Sequence, residues 1–222
     1  AWNFCLASVC GNSIIWKPSP HSNGCADALK NAWDKVAGEH KDLVLVLKGG
    51  NEEAEALCKD NNIPLISATG STQMGKELAP IVSSRLGRTL LELGGNNAAI
   101  ICPTADLDLT VKGVTFSACG TTGQRCTTLR RAFVHEDIYE EFMQKLHAYY
   151  ATLKIGDPSD KSSQLGPLIS EGSYEDMQKV LESLGNKEVK VHGGQRLDVG
   201  DSNEFYVMPA IVEVSNIEDE ML

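Results

Sequence analysis

The sequence predicts an α/β fold built on parallel strands, and three observations carry that expectation. Short apolar, β-branched runs alternate with amphipathic segments of helical length through most of the chain. The run Leu43-Val-Leu-Val-Leu47 is apolar at every position, as expected of a strand covered on both faces. Glycine-bearing turns, Gly49-Gly50 and Thr69-Gly70-Ser71-Thr72, fall where strand gives way to helix. Together they predict βαβ units with right-handed crossovers.

Taken in order, residues 1–12 are an apolar segment ending at Gly11-Asn12, and Ser13–Lys17 is a short strand stopped by Pro18. Residues 25–38 form a helix on Ala26, Leu29, Ala32, Trp33 and Val36, closed by Gly38. After the strand 43–47, Glu52–Lys59 is a helix, Pro64–Ala68 a strand, and Gln73–Ser84 a helix. Leu91-Glu-Leu-Gly-Gly95 reads as a turn, Asn97–Cys102 as a strand and Asp106–Cys119 as a helix. The apolar positions of that helix are Leu107, Leu109, Val111, Val114, Phe116 and Ala118. Gly120–Cys126 is a flexible loop entering a helix or turn, and Ala132–His135 is a strand. Asp137–Leu153 is an amphipathic helix on Ile138, Phe142, Leu146, Tyr149 and Leu153. Ser173–Leu184 is a helix, Val189–Val191 a strand, and Phe205–Val214 is extended. The acidic run Glu218-Asp219-Glu220 is expected near a solvated end.

At 222 residues with 42% hydrophobic content, the chain can bury one large or two small cores. The net charge of −10, without a basic cluster, argues against nucleic acid and anionic membranes as partners. No apolar run is long enough to span a bilayer, and the start lacks the basic region of a signal peptide. Without an initiator Met, Ala1 is expected to lie in mid-protein. Seven cysteines, none in a CxxC pair or at zinc-ligand spacing, imply a reducing, cytoplasmic setting, mostly buried free thiols and no metal centre. His192 has no Cys, Asp or His nearby in sequence, so it reads as structural or exposed.

The chemistry concentrates between Glu92 and Cys126. A carboxylate and a thiol, each on a glycine-softened loop, are the pair that covalent catalysis with a general base requires. Arg125 beside Cys126, with a helix N-terminus following, would favour the thiolate. Lys17 ends a strand, where it serves either as an ordinary strand-end lysine or as a contact to a ligand at the sheet edge. Ser71 serves either as an N-cap or, with Gly70, as a phosphate ligand at a helix N-terminus.

Four motifs in this order carry a resemblance: Trp-Lys-Pro-Ser, Ala-Thr-Gly-Ser-Thr, Leu-Glu-Leu-Gly-Gly-Asn-Asn and Gly-Gln-Arg-Cys-Thr-Thr. The chain resembles the NAD(P)-dependent aldehyde dehydrogenase superfamily. Asn96-Asn97 and residues 123–128 are similar to its antiquitin branch, the α-aminoadipic semialdehyde (piperideine-6-carboxylate) dehydrogenases of lysine catabolism. The resemblance implies a partial Rossmann-like dinucleotide-binding domain over residues 1–93 and a partial α/β catalytic domain over residues 94–222. It implies Cys126 as nucleophile, its backbone N–H as an oxyanion donor, and Glu92 as the base that activates water. Lys17, Ser19, Gly70, Ser71, Leu93 and Gly94 would contact NAD or NADP, and Arg125 the substrate carboxylate. A small-molecule aldehyde is the implied partner, with dimers or tetramers in the whole protein.

The sequence also departs from the family pattern. Cys5 stands where the Trp2-Asn3-Phe4 turn would need Pro, so the second oxyanion donor is expected before Ala1, with Asn3 on a helix. Pro20 replaces an acidic ribose contact, and other cofactor residues are expected beyond Leu222. Two other readings remain open: a catalytically silent fragment acting as an interaction module, and a cofactor-free cysteine esterase.

Overall fold

The computed structural model describes residues 2–185, 189–200 and 204–214; the acidic run 218–220 lies outside them. The chain divides into two compact units, Ala1–Leu93 and Gly94–Leu222. Among the described residues, no helix is long and apolar enough to cross a membrane.

The first unit holds α1 (Trp2–Val9), β1 (Ile14–Trp16), α2 (Asn23–Val36), β2 (Val44–Val46), α3 (Asn51–Lys59), β3 (Leu65–Thr69), α4 (Thr72–Ser84) and β4 (Arg88–Glu92). It contains two βαβ units. Strand β1 pairs in parallel with β2, and β3 pairs in parallel with β4, each as a two-stranded sheet. Ala26, Val44, Cys58 and Val82 are its fully buried apolar side chains.

Two expectations are corrected here. Leu91 and Glu92 are not in the turn: β4 runs from Arg88 to Glu92, with Thr69 opposite Glu92. Two leucines between polar neighbours give too short an apolar run to be read as a strand, and only pairing with β3 supplies the ladder. Strand β2 is not covered on both faces, because Val44 is buried while Leu45 is 52% exposed.

The second unit holds β5 (Asn97–Ile101), α5 (Leu107–Cys119), β6 (Leu129–Val134), α6 (Tyr139–Tyr150), α7 (Glu171–Ser183), β7 (Val189–His192) and β8 (Ile211–Val214). A third βαβ unit pairs β5 with β6 in parallel, and β7 with β8 forms an antiparallel ribbon. Asp106 starts α5 by accepting the Leu109 amide at 3.1 Å. The core joins Ile101, Val111, Val114, Cys119, Phe142, Leu146, Tyr150 and Leu165. The inward face of α5 is therefore Val111, Val114, Thr115 and Cys119, whereas Leu109 and Phe116 are each 69% exposed. An apolar residue on nearly every face of α5 left its buried stripe undetermined until α6 packed against one side. The cysteines also differ from expectation. Only Cys58 and Cys119 are buried, while Cys5, Cys10, Cys25, Cys102 and Cys126 are exposed.

Candidate active site

In the first unit, the candidate residues gather where parallel strands end. Lys17 follows β1, and its Nζ donates to the carbonyls of Pro18 at 2.9 Å and Gly49 at 3.3 Å. The ammonium thus sits over the turn that enters α3. Glu53 closes that turn by accepting the Gly50 amide at 2.7 Å. Its own backbone N–H and that of Gly50 hold its carboxyl below the usual range. Ser19 is exposed, and its hydroxyl accepts from the His21 amide.

Strands β3 and β4 bring four candidates side by side. Gly70 N donates to Glu92 O at 3.0 Å, directly after the Thr69–Glu92 pair. Ser71 is the N-cap of α4 and accepts the Met74 amide at 3.1 Å. Leu93 packs on buried Gly75: a Cβ there would lie 2.6 Å from Leu93 Cδ1. Glu92 itself is exposed at the end of its strand. One sheet edge therefore presents a helix N-terminus, a hydroxyl, a carboxylate and an apolar side chain, the furniture of a ligand site at the carboxyl ends of parallel strands.

In the second unit, Cys126 is exposed in a turn that leads into β6. No helix follows it, so the local helix N-terminus expected to favour the thiolate is not there. Its turn is held instead by Asn97 at the start of β5. Asn97 Nδ2 donates to Cys126 O at 2.8 Å and to Thr128 O at 2.9 Å. Thr128, 3% exposed, locks the turn from inside. Its amide donates to Arg125 O at 3.1 Å, and its Oγ1 accepts from Arg125 N at 3.1 Å.

The segment before Cys126 takes an unusual path. Thr121 (φ 56°), Thr122 (φ 54°) and Gly123 (φ 69°) are successively left-handed, a conformation that strains the two β-branched threonines. Tertiary contacts hold it. Thr122 Oγ1 donates to Gly166 O at 2.9 Å, Gln124 Nε2 reaches Pro167 O at 3.4 Å, and Ile169 N donates to Gln124 Oε1 at 2.9 Å. Residues 166–169 are thus the platform of the cysteine loop. Sequence reasoning named neither this platform nor Asn97 as a support. The one signal was that Asn97 closes the Leu-Glu-Leu-Gly-Gly-Asn-Asn motif.

Arg125 reaches to α5. Its Nη2 donates to Phe116 O at 2.9 Å, and its guanidinium lies 5.0 Å from the Phe116 ring centroid. Gly120 makes room for this: a Cβ there would come within 2.2 Å of Nη2. A guanidinium on the last-turn carbonyls of a helix is favourably placed. By contrast, Cys119, a few residues before Cys126, is an inert thiol. Burial pushes its pKa up, and Tyr150 shares a hydrogen bond with it.

Asn3, on α1 as expected, donates from Nδ2 to Ser67 Oγ at 2.9 Å. Outside these elements, His192 has the partners that its sequence surroundings did not offer. Its Nε2 lies 2.7 Å from Glu213 Oε1, and its ring centroid is 4.3 Å from that of His147.

Comparison with known proteins follows the same lines. The aldehyde dehydrogenase family model matches residues 1–222. Aldehyde dehydrogenase family 7 member A1 of Brassica napus is 39% identical over 218 residues, covering 97% of this chain and 44% of that protein. The α-aminoadipic semialdehyde dehydrogenase of Bos taurus is 40% identical over 218 residues, 95% of this chain and 39% of that one. The chain thus spans less than half the length of the curated relatives it matches. Among solved structures, an NAD-dependent aldehyde dehydrogenase from Sinorhizobium meliloti superposes with a TM-score of 0.87 at 26% identity, covering 94% of this chain and 41% of that one. An NADP-dependent enzyme of E. coli superposes with a TM-score of 0.84 at 28% identity, covering 90% and 41%.

Proposed function

The chain belongs to the aldehyde dehydrogenase family along its whole length, and from that premise we propose that it carries part of the machinery for oxidising an aldehyde to a carboxylate with NAD or NADP. Residues 1–93 are the dinucleotide-binding portion and residues 94–222 the portion bearing the nucleophile. The single observation that carries this reading is the cysteine turn. Of seven cysteines, Cys126 is exposed on a turn fastened by Asn97, Thr128 and the 166–169 platform.

The residues present suit a nicotinamide dinucleotide. The capped N-terminus of α4 with Gly70 and Ser71 matches a pyrophosphate, and the Lys17 ammonium with Ser19 matches a ribose. Leu93 and Gly94 would lie beside the nicotinamide. When bound, the dinucleotide supplies the hydride acceptor.

The chain's own residues do the rest. Cys126 Sγ adds as thiolate to the aldehyde carbon, and its backbone N–H steadies the developing oxyanion. After oxidation the acyl group remains as a thioester on Sγ. Glu92 takes a proton from water, the hydroxide adds to the thioester carbon, and Cys126 leaves as thiolate with release of the carboxylic acid. The name of the Bos taurus relative, an α-aminoadipic semialdehyde dehydrogenase, supports an aminoadipic semialdehyde-like substrate. Arg125 would meet its carboxylate with donors other than the Nη2 held by Phe116.

The test follows NADH formation from NAD and aminoadipic semialdehyde. Turnover that disappears in Cys126→Ser, and deacylation slowed more than acylation in Glu92→Gln, are expected. Equal loss by Glu92→Gln in the single-turnover burst and in steady state would contradict the role of Glu92. A cofactor-independent esterase is the second reading, favoured because Asn97, Thr128 and residues 166–169, which fasten the Cys126 turn, all belong to the second unit. Ester hydrolysis without nucleotide that is lost in Cys126→Ser would support it.

A further inference from the structure

We propose that His147, His192 and Glu213 form a binding site for a divalent transition metal of the zinc type, separate from the Cys126 turn. The three come from different elements: His147 from the last turn of α6, His192 from the end of β7, and Glu213 from β8. One candidate ligand atom from each lies within 4.8 Å of the other two. Two imidazoles and a carboxylate are a donor set that zinc takes, leaving a fourth position for water. Ligand atoms around a tetrahedral zinc stand roughly 3.4 Å apart, from bonds of about 2.0–2.1 Å. Side-chain rotations that close the widest pair, within 4.8 Å, by up to about 1.4 Å complete that geometry.

The surroundings are those of a supported ligand. Glu213 is 14% exposed at its side chain, and Tyr139 Oη donates to its Oε2 at 2.5 Å. Oε1 is left facing His192 at 2.7 Å. An outer hydrogen bond that fixes one carboxylate oxygen while the other binds is a recurrent arrangement around metals. The β7–β8 register keeps the group together. Lys190 stands opposite Glu213, so His192, two residues on, shares the same face of the ribbon. The competing cation is Lys190 itself, with Nζ 3.9 Å from Glu213 Oε2. Its side chain is 78% exposed and free to swing into water. Two imidazole rings with centroids 4.3 Å apart and a carboxylate beside them form a set of donors that one metal ion can take together.

The experiment is a cobalt(II) titration of the untagged chain, its exposed thiols first alkylated with iodoacetamide. Visible d–d bands report binding, and zinc(II) competes it off. Saturable binding is expected, with bands lost in His192→Gln and in Glu213→Gln. Tyr139→Phe, which keeps all three ligands, weakens affinity about tenfold. Circular dichroism checks each fold, and His147→Gln gives the same readout should a ribbon variant fail to fold. Bands that persist in the ligand variants, or no saturable binding by the alkylated wild type, overturn the proposal.

Discussion

Asn97 is the residue through which the strand β5 controls the geometry of the cysteine turn, and Asn97→Ala tests it. The change deletes two hydrogen bonds, to Cys126 O and Thr128 O. The first carbonyl belongs to an exposed residue and rehydrates; the second belongs to one only 3% exposed. An ordinary hydrogen bond contributes about 0.5–1.5 kcal/mol and a stranded buried acceptor costs about 1–3, so the sum is about 1.5–4.5 kcal/mol. The assay exploits an asymmetry of composition. All five tyrosines lie in Gly94–Leu222 and all three tryptophans in Ala1–Leu93, so tyrosine absorbance in a urea titration reports the unit holding Asn97. Amide exchange of Arg125 and Thr128 should quicken by roughly tenfold or more, since each 1.4 kcal/mol is a factor of ten. Asn97→Asp, which sets a carboxylate against two carbonyl oxygens, should do worse than alanine. A stability change within about 0.5 kcal/mol together with unchanged exchange at those amides would refute the reasoning.

Other outcomes follow from single features. Thr121→Gly should stabilise the chain by up to about 1 kcal/mol in thermal melts by relieving left-handed strain, whereas Thr122→Gly should not, because it forfeits the bond to Gly166. Gly193→Ala should destabilise by about 2–4 kcal/mol in urea unfolding, because φ is +77° and the new Cβ would lie 2.1 Å from Pro209 O. The Tyr139–Glu213 bond gives stability a two-sided pH dependence. Burial and the Glu213 carboxylate raise the Tyr139 pKa to about 12, so its contribution is full below the ordinary value near 10 and fades as pH climbs toward 12. The Tyr139 bond and then the His192 bond hold Glu213 below its ordinary 4.5, so that contribution is present above 4.5 and fades as pH falls through the depressed value. Tyr139→Phe should flatten the alkaline arm and weaken the acid one, as read by unfolding free energy against pH.

By itself the sequence determined the alternation of strand and helix, because a strand's and a helix's apolar periods are local and Pro18, Gly38 and Ser71 punctuate them. It also carried the two motifs that hold Glu92 and Cys126, since a motif is contiguous by definition. Tertiary structure decided what depends on residues distant along the chain. Strand β4 exists through its ladder with β3, which a short run of two leucines could not announce. The face of α5 that is buried was chosen by α6, since Leu109 and Phe116 are as apolar as Val111 and Val114. The support of the cysteine turn comes from Asn97 and from residues 166–169, and of the helix or turn left open at Cys126 it is the turn, leading into β6, that forms. His192 lacked partners only along the sequence; the ribbon and α6 brought it Glu213 and His147. In each case the deciding free energy is a pairing or packing term between separated segments, and no local pattern encodes which segments will meet.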